Sequence, residues 1–226
     1  MWEEMITRAE YAALCVDIYH DENYMNPRDF GFTLIHSKEF PSGLYVETYQ
    51  KISTGELVVV ARGTEITNWK DDAADFNLGC NKVPGQYVDF KNYVNYIRDT
   101  NPNAVVSITG HSLAGAYVQL YDADMALYPD PKHGQITGET FGAPAMSAVV
   151  WNNWGLGLEN KGFNLDNYRN FNSYLSVENV VRTGDPVPAA FWPCFELGRT
   201  VIVPQEGYTG LTAHSSIRYY YTSRSY

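Results

Sequence analysis

Ser112 stands in the segment Gly110-His111-Ser112-Leu113-Ala114-Gly115, directly after a short, mostly apolar run at 104–109 and at the head of a helix-like stretch at 112–126. A serine on a sharp strand-to-helix turn is held above a sheet edge, where its hydroxyl can attack an acyl carbon once a base takes its proton. The residues flanking it must be small, because larger side chains there would strike the neighbouring strands. Gly110 meets that need, and Ala114 is one methyl larger than a glycine. The helix start behind Ser112 offers unpaired N–H groups and the positive end of a dipole to a developing oxyanion. A Gly-Ser turn that only caps a helix gives the same short pattern, so the placement between strand and helix carries the functional reading. His111 is not the base: beside Ser112 in a tight turn its ring points away from the hydroxyl, and it is read as structural.

A serine so placed needs a sheet beneath it. Strands are expected at 32–35, 44–49 and 57–61, the second alternating in polarity and followed by the turn Ser53-Thr54-Gly55. Before them, Met5, Ala9, Ala12, Ala13 and Val16 mark one side of an amphipathic helix. Phe90, Val94 and Ile97 space a second helical face that ends at Asn101-Pro102. After the serine's helix come strands at 135–141, 180–183 and 200–203 and a closing helix at 215–221, while 151–172, rich in Asn and Gly, has no clear assignment. Strand, helix and strand in close succession imply parallel pairing with helices on both faces. The expected class is α/β, with an antiparallel N-terminal part of the sheet, and the absence of repeats or linkers predicts one domain over 1–226.

Composition narrows the partners. The 226 residues are 45% hydrophobic and 19% charged, as in an ordinary globular domain. A formal charge of −10 argues against nucleic acid and against strong adhesion to anionic lipid, leaving at most transient contact with a neutral lipid surface. The start of the chain, with its early acids and polar breaks, does not read as a secretory signal, so cytoplasmic residence is the default expectation, with secretion the alternative. Cys15, Cys80 and Cys194 lack metal or redox spacing and are read as apolar packing. No cofactor or metal is expected, and the sequence leaves the oligomeric state open.

Several segments, in order, resemble the class 3 lipases, a family of α/β-hydrolases that includes fungal secreted lipases and feruloyl esterases. Ala61-Arg62-Gly63-Thr64 is similar to the family's oxyanion loop, and Ile66-Thr67-Asn68-Trp69-Lys70-Asp71-Asp72 to the lid segment after it. Gly110–Gly115 resembles the nucleophile elbow, and Thr140-Phe141-Gly142-Ala143-Pro144 the strand end that follows. Gly184-Asp185-Pro186-Val187-Pro188 resembles the acid loop and Ala213-His214-Ser215-Ser216 the base. The match spans roughly residues 57–221. Ala61 departs from the usual Phe, Ala114 from Gly, Val83-Pro84-Gly85 lacks the family's His-Gly, and 145–178 does not align.

The resemblance implies an α/β-hydrolase fold and a serine hydrolase acting on an ester or lipid substrate through an acyl-enzyme, with an acyltransferase or a non-catalytic module on the same fold as alternatives. It makes Ser112 the nucleophile, His214 the base and Asp185 the carboxylate that orients it. Of the two histidines after Ser112, His133 lies in the turn Asp130-Pro131-Lys132-His133-Gly134 and reads as a solvated loop residue. Asp166 is the substitute acid, in the Asn-rich stretch without a preceding strand. Thr64, by its backbone N–H and its hydroxyl, and Leu113, by its backbone N–H, are the expected oxyanion donors; without the elbow, Arg62-Gly63-Thr64 would read as a plain β-turn. Ile66, Trp69, Ala73 and Phe76 recur at helical spacing opposite Lys70, Asp71, Asp72 and Asp75. They read as an amphipathic lid over the site or as a surface helix packed on the core. The acids lack a calcium-loop spacing and read as a solvated face.

Overall fold

The computed structural model describes residues 5–20, 25–63, 83–147, 150, 165–189, 195–204, 207 and 211–224. The N-terminal helix α1 (Arg8–Asp17) begins at a capping box, in which the Thr7 hydroxyl accepts from the Glu10 N–H and the Glu10 carboxylate accepts from the Thr7 N–H. Met5 lies outside the helix and is exposed, and buried residues run continuously from Tyr11 to Asp17 rather than along one stripe. The expected amphipathic pattern is thus corrected to a helix enclosed on most sides, because both the sheet and the last helix pack on it.

A single turn of 3₁₀ helix (Pro27–Phe30) leads into β1 (Phe32–Glu39), β2 (Tyr45–Lys51) and β3 (Leu57–Ala61), which pair antiparallel. Then follow α2 (Gly85–Thr100), β4 (Val106–His111), α3 (Leu113–Leu127), β5 (Thr137–Phe141), α4 (Leu165–Asn172), β6 (Val177–Arg182), the helical turn α5 (Pro186–Ala189), β7 (Arg199–Val203), the turn α6 (Leu211–His214) and α7 (Ser216–Ser223). From β3 onward every pairing is parallel, and the seven strands lie in sequence order.

The sheet separates two apolar layers. Leu57, Val59 and Ala61 of β3 point into one with Phe90, Val94 and Ile97 of α2 and Leu120 of α3. Val58 and Val60 point into the other with Leu14 and Val16 of α1 and Tyr219 of α7. All five residues of β3 are buried, as a strand covered on both faces must be.

β1 and β6 run furthest beyond their apolar runs. β1 extends to Glu39 as a solvated edge, with an irregular register between Leu34 and His36. β6 starts at Val177, three residues before the apolar run, because buried polar groups hold that stretch: the Thr140 hydroxyl donates to Asn179 (2.7 Å), and the Asn179 amide donates to the Leu197 carbonyl (2.7 Å). Among the described residues no helix is long and apolar enough to cross a membrane.

Candidate active site

The parallel strands bring three sequence-distant side chains together at one sheet edge. Ser112 follows β4 with φ 58° and ψ −131°, a conformation rare for a residue with a side chain. It is pinned by its own N–H, which donates to the Phe141 carbonyl (2.9 Å), and by its carbonyl, which accepts from the Gly115 N–H (2.9 Å). The extra methyl of Ala114 fits because residue 110 has none: a Cβ on Gly110 would lie 2.9 Å from that of Ala114.

The Ser112 Oγ lies 2.9 Å from Nε2 of His214, at the end of α6, and Nδ1 of His214 faces both Asp185 oxygens at 3.0 and 2.9 Å. All three side chains are buried. A carboxylate only accepts, so Nδ1 carries the ring proton and Nε2 is free to accept from the serine hydroxyl. Asp185 lies between β6 and α5. Its Oδ1 also accepts from the Val187 N–H (2.9 Å) and its Oδ2 from the Tyr219 hydroxyl (2.6 Å), whose oxygen in turn accepts from the Arg182 N–H (3.1 Å). Burial first, then the adjacent Asp185 charge, pushes the Tyr219 phenol well above its ordinary range, so it stays a neutral donor.

Tyr219 escaped the sequence reading because it sits among Tyr219-Tyr220-Tyr221 with no motif of its own. Gly142 escaped it too, as part of a strand end. At φ +57° a Cβ there would lie 2.7 Å from Asp185 Oδ2 and 3.0 Å from His214 Nδ1, so the Asp185–His214 pair needs a glycine beside it.

His111 is structural, as expected, but close to the chemistry. Its Nε2 lies 2.5 Å from the His214 carbonyl oxygen, its Nδ1 3.0 Å from the Tyr19 hydroxyl, and its ring 4.6 Å from that of His214. Burial, and next the neighbouring His214, push its pKa well below the ordinary histidine value, so the ring is neutral.

His133 is not a solvated loop residue: its ring is 9% exposed and bridges Asp99 (3.2 Å) and Asp130 (3.0 Å). Asp166 falls within α4, and the carboxylate that meets His214 belongs to Asp185.

Leu113 is the first residue of α3, where a backbone N–H has no acceptor within the helix. Gly63 carries the chain from β3 against the serine, with room for a Cβ removed by the His111 carbonyl (2.5 Å) and Ser112 Cβ (3.3 Å). Thr64, Ile66, Trp69 and Phe76, like Cys80 and Cys194, lie outside the described residues; Cys15 is buried, as expected.

Residues 28–194 match the model of a family described as lipase (class 3). The chain belongs to the class 3 lipase family. This class 3 lipase is accordingly a carboxylic ester hydrolase. Its mostly parallel sheet with helices is the α/β-hydrolase fold of fungal lipases. Lip2 lipase from Yarrowia lipolytica is 16% identical, with a TM-score of 0.56 over 86% of this chain and 77% of its own. The Rhizomucor miehei lipase in its propeptide complex is 16% identical, with a TM-score of 0.59 over 87% and 67%. Lipase II from Rhizopus niveus is 16% identical, with a TM-score of 0.53 over 80% and 72%. Comparison with curated protein sequences gives no match.

Proposed function

We propose that this class 3 lipase hydrolyses esters through an acyl-enzyme on Ser112, with His214 as base and Asp185 as its orienting carboxylate. The unbroken run Ser112 Oγ–His214 Nε2, His214 Nδ1–Asp185 carries the reading. As Oγ bonds to the ester carbon, its proton passes to Nε2. The carbonyl oxygen becomes an oxyanion facing the N–H groups of Leu113 and Thr64. Collapse of the tetrahedral intermediate breaks the bond to the alcohol, which leaves with the proton from Nε2. Water then repeats the sequence, giving its proton to His214, and the acid departs as Ser112 recovers its hydrogen.

Ile66, Trp69 and Phe76 are proposed as the apolar face of a short cover over the site. One large anchor flanked by Lys70 and three acids gives little purchase on a lipid phase, so dissolved short-chain esters should be favoured over emulsified long-chain fat. The substrate is thus an ester or lipid met in solution or by brief surface contact.

A fluorophosphonate probe should label Ser112 in the wild type and leave Ser112→Ala unlabelled, and a p-nitrophenyl ester series compared with emulsified triacylglycerol should favour the short chains. An unlabelled wild type would indicate a non-catalytic module. Faster turnover of emulsified fat would overturn the reading of the cover, and product transfer to added alcohol outrunning hydrolysis would make the protein an acyltransferase.

A further inference from the structure

We propose that Tyr19 and His111 form a positioning pair that ties the catalytic base and the oxyanion loop to the N-terminal helix, an inference that rests on the triad reading above. The direction of the chain is fixed by what each atom can do. A backbone carbonyl only accepts, so His111 Nε2 carries hydrogen and donates to the His214 oxygen. In a neutral ring Nδ1 must then accept, and the Tyr19 hydroxyl donates to it. The run Tyr19 O–H to His111 Nδ1, His111 Nε2–H to His214 C=O therefore has one polarity.

The pair acts on the base at two points. The hydrogen bond fixes the His214 backbone, while the His111 ring, tilted 35° to that of His214, limits where the imidazole can swing. His111 is one residue from Ser112, so nucleophile and base share one reference. The other end of the chain reaches the oxyanion loop: the Tyr19 oxygen lies 2.9 Å from the place a Cβ on Gly63 would occupy, one residue before Thr64. A single hydroxyl, two residues past the end of α1, is thus wedged between the loop that holds the oxyanion and the ring that holds the base. A neutral His111 also spares the imidazolium formed on His214 a like charge in the neighbouring ring, 4.6 Å away.

Tyr19→Phe keeps the ring and removes only the hydroxyl. On a dissolved ester kcat should fall about tenfold or more, as small misplacements of reacting groups do, while KM stays within about twofold and the unfolding temperature is little changed. A purely structural tyrosine would not split kcat from KM. In both proteins ¹⁵N chemical shifts should show His111 as the Nε2–H tautomer, which the His214 carbonyl demands, with the Nδ1 resonance moving in Tyr19→Phe as it loses its donor. An unchanged kcat, or a kcat loss matched by losses in KM and stability, overturns the inference. So does an Nδ1–H tautomer in the wild type, which needs no variant to fold. If the fluorophosphonate fails to label wild-type Ser112, the triad reading falls instead; labelled wild type with Tyr19→Phe equally active sinks only the positioning pair.

Discussion

At the scale of single residues, the site trades local strain for aim. Holding Ser112 at φ 58° costs on the order of 1–3 kcal/mol, offset by the bonds from its N–H to Phe141 and from Gly115 to its carbonyl. Asp185 has three donors around it, from His214, Val187 and Tyr219, so its orientation is over-determined. The donors differ in consequence. Asp185→Asn lets the imidazole take the wrong tautomer, and kcat should drop on the order of 10⁴-fold. Tyr219→Phe removes one charge-assisted hydrogen bond, about 1.5–3 kcal/mol, so the loss should be roughly 10- to 100-fold. Steady-state kinetics of the two folded variants check the order; equal losses would mean that Tyr219 does more than hold the carboxylate. Ser112 stood out by its place between strand and helix, and Asp185 and His214 by segments that resemble the class 3 lipases in the right order. Tyr219 and Gly142 did not, since their roles exist only where α7 and the end of β5 cross Asp185.

At the scale of elements, α3 does more than its apolar pattern shows. Its buried Asp122 accepts from the N–H groups of Ser176 and Val177 (2.7 and 2.9 Å) and so fixes the start of β6. Its buried Gln119 accepts from the Leu197 N–H (3.0 Å) and donates to the Pro144 carbonyl (3.1 Å), joining the segments that follow β5 and precede β7. These bonds explain why strand positions were readable and strand ends were not. Alternating or continuous apolar residues mark a strand's middle, whereas its limits depend on acceptors supplied by another element. Asp122→Ala leaves the buried Val177 N–H and the half-buried Ser176 N–H without that acceptor, the buried one costing about 1–3 kcal/mol. Calorimetry should show a lower unfolding temperature by roughly 5 °C or more, with fluorophosphonate labelling of Ser112 intact at low temperature. An unchanged midpoint would mean that water replaces the carboxylate.

For the whole molecule, enclosed carboxyls among the described residues shape the response to pH, and burial raises Asp17 as well as the three that shift most. Burial pushes Asp122 up to about 6, Glu139 to about 7 and Glu196 to about 8. A carboxyl whose pKa is raised on folding contributes stability that is full below its unfolded value and is lost as pH climbs through its folded one. The stability these carboxyls contribute should therefore fall between about pH 4 and pH 8 and level off above, while the buried, neutral His111 works the opposite way below its unfolded value. Glu196→Gln keeps an oxygen for the Gln119 amide but cannot ionise. Thermal melts should match the wild type near pH 5 and exceed it at pH 9; parallel curves at both pH values would show that Glu196 is already ionised when folded. The order of the strands has a further consequence, in time rather than in space. Each strand lies beside its neighbour in sequence, so a folding chain can widen the sheet one edge at a time, with the crossover from Ala61 to Val106 among the long closures it must make. Contacts that must wait longer include the pairing of α1 with α7 and the meeting of Ser112 with His214, 102 positions apart. A chain that has laid down most of its sheet still presents Ser112 without His214 beside it, and under the acyl-enzyme proposal the serine becomes reactive only when its last helices come home.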